Sequence, residues 1–422
     1  MKNKWLKKYQ KAAHKADFDS NVLLGFNANI DVTTNFSKIE ADLEEVEEEE
    51  LRKVKSEEDF LKVLKHCREN ETNLEVDSTE FDAEVDGDEQ IGGQAGIMSN
   101  FLSGVGHRAV IYTPFLSQEL AEKIHSEVLY PTVEDGMVLK SVSDAVNSDR
   151  TKKNYIVEFE EESCRLILSD HLRGFGPYFR KGMEEKFPVL QDEIDRAIFS
   201  GFHDIRGNFE SKLRKSEKQL RKLHVPKHLE FVSTTPQKDE MILEKILPYF
   251  TSVGMDESEL HKISDIMGYE IDEEPSLGDV YTISKKMIQK YDVERVHVHT
   301  KNFQSVVAES SYPVRDERIR KSILFSGLSA VSMAETGEIP EPSEIELETD
   351  RMHITKLDDL EHFEDFFDLD DFAETGIARL EGYKVVAAPT IIHEEPKRLV
   401  GMGDIISSGA FTAEVHPTHT PE

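Results

Sequence analysis

Of 422 residues only two are cysteine, Cys67 and Cys164, and one is tryptophan. Two cysteines so far apart make neither a metal-binding spacing nor a disulfide framework, which suits a reducing compartment. Cations are also scarce: Lys+Arg is 51 against 84 for Asp+Glu, a net charge of −33. That balance argues against nucleic acid and anionic membranes as partners, because phosphate backbones need basic patches. No apolar run approaches the length of a membrane span. The basic N-terminus, MKNKWLKKYQKAAHK, lacks the apolar centre of a signal peptide. No internal repeat is visible, and a cytoplasmic protein is expected. The acid excess fits a salty cytoplasm, where screening weakens self-repulsion, so a salt-adapted, halophilic host is expected.

What is present is enough for a sizeable core, with 38% hydrophobic residues and a length that favours two units over one. Trp5, Leu6, Tyr9 and Ala12 share one face, which predicts a short amphipathic helix docked on the body. Residues 40–67 are densely acidic, and Phe60, Leu61, Val63 and Leu64 give their later part a helical stripe with a solvated face. Short β-rich runs alternate with helical stretches: Val22–Gly25, Ala109–Tyr112, Ala197–Phe199, His228–Ser233, Val296–His299 and Val385–Ala388. A helix capped by Ser117 follows the second of them. The expected fold class is α/β, a mostly parallel sheet flanked by helices. Residues 34–90 and 130–172 interrupt the alternation, the second with a hairpin-like KNYIVEFEEESCRLIL. They are expected to pack together as an inserted lid. The large unit is then 1–33, 91–129 and 173–422.

Four motifs follow or lie on these strands, where doubly wound sheets collect ligands. In GFNANID, Asn29 and Asp31 are two apart and point the same way on an extended chain. An amide beside a carboxylate suits adjacent hydroxyls, and an Asn/Asp turn is the plainer alternative. In IGGQAGIMSNFLSGVG, Gly92 and Gly93 open a helix and allow close approach of a ligand or of the sheet. Glu230 ends a strand, and Asp256 and Glu259 open a helix. Carboxylates so placed hold Mg²⁺ through water, or else Asp256 and Glu259 form a capping box. In RLVGMGDIISS, Gly401, Met402 and Gly403 allow a turn whose N–H groups stabilise a transferring phosphoryl group. Asp404 behind it is a general base or a helix cap.

In order, NANID, GGQAGI, HLE, DESE, VHVHT and VGMGD resemble the ADP-dependent glucokinase and phosphofructokinase family, archaeal-type members of the ribokinase-like superfamily. The resemblance covers nearly the whole chain. It implies a kinase moving the β-phosphoryl group of ADP to a sugar hydroxyl, with Asp404 as base and Gly401, Met402 and Gly403 as the anion hole. It places the sugar at Asn29, Asp31, Gly92, Gly93 and Gln94, and Mg²⁺ at Glu230, Asp256 and Glu259. The nucleotide falls to His299, Pro389, Thr390, His393 and Val400. The chain departs from the family pattern at Asp256, where asparagine is usual, and at Gln90, where an arginine is common. Only Phe303 offers the aromatic that often follows VHVHT.

In that family a lid glutamate favours glucose, and Glu75 falls near that position. A sugar phosphate needs cations, and Lys152, Lys153, Arg165, Arg173, Arg180 and Lys181 cluster in and after the second lid segment. Arg173 and Arg180 are therefore expected to bind fructose 6-phosphate in a phosphofructokinase of glycolysis. Glucokinase or a bifunctional enzyme is the alternative. An ATP-dependent kinase of the same superfamily and a decayed sugar or nucleotide sensor are further ones. A monomer or homodimer is expected.

Overall fold

A computed structural model describes residues 1–13, 20–39, 42–44, 46–81, 85–159, 164–340, 342, 345 and 351–415. The turn of the expected hairpin, residues 160–163, lies outside the described residues. In chain order the first strands are β1 (Asn21–Gly25), β2 (Asn29–Asn35), β3 (Leu74–Asp77), β4 (Asp88–Gly92), β5 (Arg108–Tyr112) and β6 (Leu129–Val133). Next come β7 (Met137–Ser141), β8 (Lys153–Phe159), β9 (Cys164–Ser169), β10 (Arg196–Phe199), β11 (Lys227–Glu230) and β12 (Ser252–Asp256). The last are β13 (Arg295–His299), β14 (Phe303–Glu309), β15 (Met352–Ile354), β16 (Ile377–Leu380), β17 (Tyr383–Pro389) and β18 (Ile391–His393).

Eleven strands form the main sheet in the order β16-β17-β14-β13-β12-β11-β10-β1-β5-β6-β7. From β13 to β6 every pairing is parallel, and the flanking pairings are antiparallel. The parallel centre follows from its sequence. RAIF of β10 and VLLG of β1 are buried along their length, as strands covered on both faces must be. β11 and β12 lie side by side with Glu230 opposite Gly254, so their carboxyl ends open at the same place.

A second sheet of five strands, β3-β9-β8-β2-β4, stands apart from the first. Against it packs the helix Glu57–Glu69, with Phe60, Val63, Leu64 and Cys67 buried beneath. Two expected boundaries need correction. The break at residue 33 falls inside β2, which pairs with β8 without interruption from Ile30 to Asn35, so Asn29 and Asp31 belong to the small sheet. The hairpin β6–β7, expected in the insertion, closes the edge of the main sheet instead. The Tyr130 ring stacks on Tyr112 of β5 at 5.5 Å, and its hydroxyl donates to the Thr113 carbonyl at 2.7 Å. That anchor is tertiary, and strand periodicity does not encode it.

The N-terminal helix Lys2–Ala13 docks as its stripe requires, with Trp5, Tyr9 and Ala12 buried. Trp5 Nε1 donates to the Ala373 carbonyl at 3.0 Å, and the Tyr9 hydroxyl to the Pro389 carbonyl at 2.7 Å. Among the described residues no helix is long and apolar enough to cross a membrane.

Candidate active site

The chain leaves β1 at Gly25 and crosses to the small sheet at Asn29, so the second sheet begins where the first one ends. Asn29 and Asp31 point to one side of β2, and Asn29 Nδ2 donates to Asp31 Oδ1 at 2.6 Å. Asn154 of β8 donates to the same oxygen at 3.4 Å. Gly92 faces Asn29 across the β2–β4 ladder. A Cβ there would lie 2.3 Å from the Asp31 carboxyl and 2.5 Å from Asn29 Nδ2, so only glycine leaves both side chains in place. Gly93 turns the chain with φ +70° and is the N-cap of the helix Gln94–Gly104. Gln94 Oε1 accepts from Asn27 Nδ2 at 2.8 Å. These polar groups form one continuous patch.

Gly401, left-handed at φ +88°, is the N-cap of the helix Met402–Ala413. Asp404 is therefore the third helical residue, and no side-chain hydrogen bond caps this end. The cap alternative for Asp404 fails on that geometry. Its residue keeps some exposure, but its carboxyl is enclosed: burial, reinforced by the charge of Asp31, pushes its pKa up to about 7. The Arg398 guanidinium opposes that rise. Arg398 donates through Nε to the Val400 carbonyl at 3.1 Å and lines one cleft of about 800 Å³ with Asp31, Gln90, Arg165 and Val400. A single cation three residues before a glycine turn gave no sequence signal. Gly403 abuts β13: a Cβ on it would stand 2.9 Å from His299 Nε2.

Carboxylates gather at the ends of β11 and β12. Burial pushes Glu230 well above the usual carboxylate range, and the charges of Asp404, Glu259 and Asp256 push it further. Glu259 is raised in the same way, by burial and then by Asp256. The capping box is real: Asp256 Oδ1 accepts the Glu259 N–H at 2.9 Å, and Glu259 Oε2 accepts the Asp256 N–H at 3.0 Å. Among the described residues no three His, Cys, Asp or Glu groups converge closely enough to ligate a metal directly. What remains is a set of buried carboxyls whose ionised forms the fold opposes unless a cation stands nearby. That set fits a hydrated divalent cation, and it does not fit a dehydrated one.

The residues expected to meet a nucleotide lie beyond β13. His299 ends that strand, its pKa lowered by burial. Thr390 follows Pro389 at the end of β17; its N–H donates to the Asn302 carbonyl at 2.8 Å and its hydroxyl to the Thr300 carbonyl at 3.1 Å. His393 sits one step outward, on the two-stranded ribbon β15–β18.

The expected sugar-phosphate arginines are not brought to this patch. Arg180 donates to Asp149 and to the Pro114 carbonyl, both at 2.6 Å, and Arg173 is exposed. Lys152 and Arg206 stand closer. Buried Lys152 pairs with Asp204 at 2.5 Å, approaches Asn27 Oδ1 at 3.4 Å, and its charge stabilises the Asp31 carboxylate. His171 Nδ1 lies 3.2 Å from the other oxygen of Asp204, and Arg206 contacts His171 Nε2 at 2.8 Å. Glu75 lies on edge strand β3, accepts from Ser169 Oγ at 2.6 Å, and its charge reaches His203 beside that cluster.

A model of the ADP-specific phosphofructokinase/glucokinase conserved region matches residues 20–413. The ADP-specific phosphofructokinase of Pyrococcus abyssi is 30% identical, over 94% of this chain and 98% of its own. The ADP-dependent glucose/glucosamine kinase of Pyrococcus furiosus is 29% identical, over 77% of this chain and 75% of its own. A solved ADP-dependent kinase in complex with fructose 6-phosphate and ADPβS superposes with a TM-score of 0.83 at 26% identity, covering 97% of each chain.

Proposed function

The chain belongs to the ADP-specific phosphofructokinase/glucokinase family, and from that premise we propose that it transfers the β-phosphoryl group of ADP to fructose 6-phosphate, giving AMP and fructose 1,6-bisphosphate. The observation that carries the reading is Asp404, enclosed behind the Gly401–Gly403 turn with its pKa near working pH. A carboxylate so tuned takes the proton of the acceptor hydroxyl. The first N–H groups of its helix, with Gly401, Met402 and Gly403, stabilise the charge on the transferring group. Asn29, Asp31, Gly92, Gly93 and Gln94 offer donors and acceptors to sugar hydroxyls.

Lys152, Arg206 and Arg398 support a sugar phosphate over a neutral sugar. A phosphate monoester approaching so acidic a chain needs local cations, and the Asp31 side of the site supplies them. Glu75 supports glucose as a second substrate, since its carboxylate faces the same cluster. His299, Pro389, Thr390, His393 and Val400 frame the nucleotide side. Mg²⁺ would be held through water by Glu230, Asp256 and Glu259, and would neutralise phosphate charge there. The small sheet, joined to the main one at Gly25–Asn29 and Gly92–Gln94, acts as a lid that excludes water. The net charge of −33 supports a salt-rich working medium.

A coupled assay tests the reading, pairing ADP or ATP with fructose 6-phosphate or glucose. Turnover with ADP and fructose 6-phosphate is expected. Faster turnover with ATP sinks the donor assignment, and no turnover with any pair sinks the enzyme.

A further inference from the structure

The chain's two cysteines meet although 97 residues separate them. Cys67 lies on the helix Glu57–Glu69 and Cys164 opens β9. Their Sγ atoms stand 3.9 Å apart in the core of the small sheet, beside Leu64 and Leu166. Cys67 donates to the Thr72 carbonyl at 2.8 Å, and Cys164 to the Cys67 carbonyl at 3.4 Å. A well-packed thiol pair needs nothing more than these contacts. Cys164, however, also lines the cleft that holds Asp31 and Arg398. Two sulfurs in van der Waals contact thus lie beside a cleft that opens to solvent.

We propose that Cys67 and Cys164 form a redox modification site, in which a peroxide admitted through the cleft converts the dithiol to a disulfide tying the helix to β9. Cys164 reacts first, because it borders the cleft. Its thiolate, having released a proton to solvent, attacks one peroxide oxygen. The O–O bond breaks, hydroxide leaves and takes up that proton as water, and Cys164 carries a sulfenic acid. Cys67 Sγ then attacks Cys164 Sγ. The S–O bond breaks, and the departing hydroxide accepts the Cys67 proton as a second water. Two thiols and one peroxide give one disulfide and two waters. The sulfurs must close from 3.9 Å to about 2.05 Å. The bond closes a long loop and so restricts the unfolded chain.

The test treats the native full chain with hydrogen peroxide, then denatures it, alkylates it with iodoacetamide and weighs it whole. The expected result is a mass lower by two hydrogen atoms, no alkylation, and reversal by dithiothreitol. The oxidised protein should also melt at a higher temperature than the reduced one. Cys67→Ser should stop at a singly oxygenated Cys164, and Cys164→Ser should resist peroxide at Cys67. A folded protein whose two thiols both still alkylate after excess peroxide overturns the proposal. So does a disulfide that forms only between chains. A further arm rests on the function proposed above: saturating fructose 6-phosphate should slow the oxidation by filling the Asp31 side of the cleft. An unchanged rate with fructose 6-phosphate leaves the disulfide site standing and counts only against the sugar's placement.

Discussion

Asp31 raises the pKa of Asp404, although one sits on the small sheet and the other at the head of a helix on the large one. Arg398 counters that rise from the side of the cleft. Base strength at this site is thus a property of three residues from distant parts of the chain.

Asp404→Asn should lower kcat by roughly 10²–10⁴ while leaving the fold and nucleotide binding intact, the usual loss for a general base. In the parent, kcat/KM should fall as pH drops through about 7, where Asp404 takes up a proton. The stability effect has the opposite direction. The folded carboxyl keeps its proton to about pH 7, whereas the unfolded one releases it near about pH 3.9. Its favourable contribution is present below the unfolded pKa and lost as pH rises through the folded one. The asparagine variant should therefore melt higher than the parent at pH 8, by up to about 4 kcal/mol of added stability. Equal activity in a folded variant would reduce Asp404 to a structural residue.

Glu230→Gln and Asp256→Ala should part company. The first removes a buried carboxyl whose ionisation the fold opposes, so stability at neutral pH should rise while the Mg²⁺ needed for half-maximal activity increases. The second breaks the capping box and should cost about 0.5–2 kcal/mol. Melting curves beside Mg²⁺ titrations separate them. An unchanged Mg²⁺ requirement in Glu230→Gln would remove that residue from the cation site.

Arg206→Ala should raise the KM for fructose 6-phosphate at least about ten-fold, the worth of a charge-assisted hydrogen bond of roughly 1.5–3 kcal/mol. The KM for glucose should stay put. Arg180→Ala should move neither value, because that side chain is held by Asp149 and Pro114. A shift confined to Arg180→Ala would return the phosphate to the sequence-based position.

Arg295→Met should destabilise the protein by about 3–5 kcal/mol. Arg295 contacts fully buried Glu414 at 2.9 Å and lies over the Phe411 ring, at the far end of the helix that begins beside Asp404. Removing it leaves the Glu414 carboxylate with Tyr312 and Arg196 alone. A melting temperature within a degree of the parent's would show the pair to be dispensable.

The parts of the site that sequence revealed are those where local chemistry is unusual. Gly92, Gly93 and Gly401 stand where a side chain would collide or the backbone turns left-handed, and the central strands β1 and β10 are legible as apolar runs buried along nearly their whole length. The cations are legible only in part. Lys152 stands out as one of a cluster, but Arg206 looks like any charged residue in a polar stretch, and neither is placed until Asp204 and His171 are folded against them. Cys67 and Cys164 carry no spacing signal, because a helix and a strand from separate segments bring them together. In the sequence the β6–β7 segment reads only as part of the insertion. Which sheet it would join depended on one tyrosine stacking on another.

The docking of the N-terminal helix has a consequence for the order of events in the cell. Its partners Ala373 and Pro389 lie 368 and 380 residues further along the chain. The helix therefore emerges from the ribosome long before the surface it needs exists, and Trp5 and Tyr9 stay exposed through most of translation. The last strands of the main sheet complete that surface, and only then does the Tyr9 hydroxyl fix the Pro389 carbonyl beside Thr390. On the nucleotide placement proposed above, that side of the site is finished last, and a nascent chain stalled short of Pro389 could not yet hold ADP.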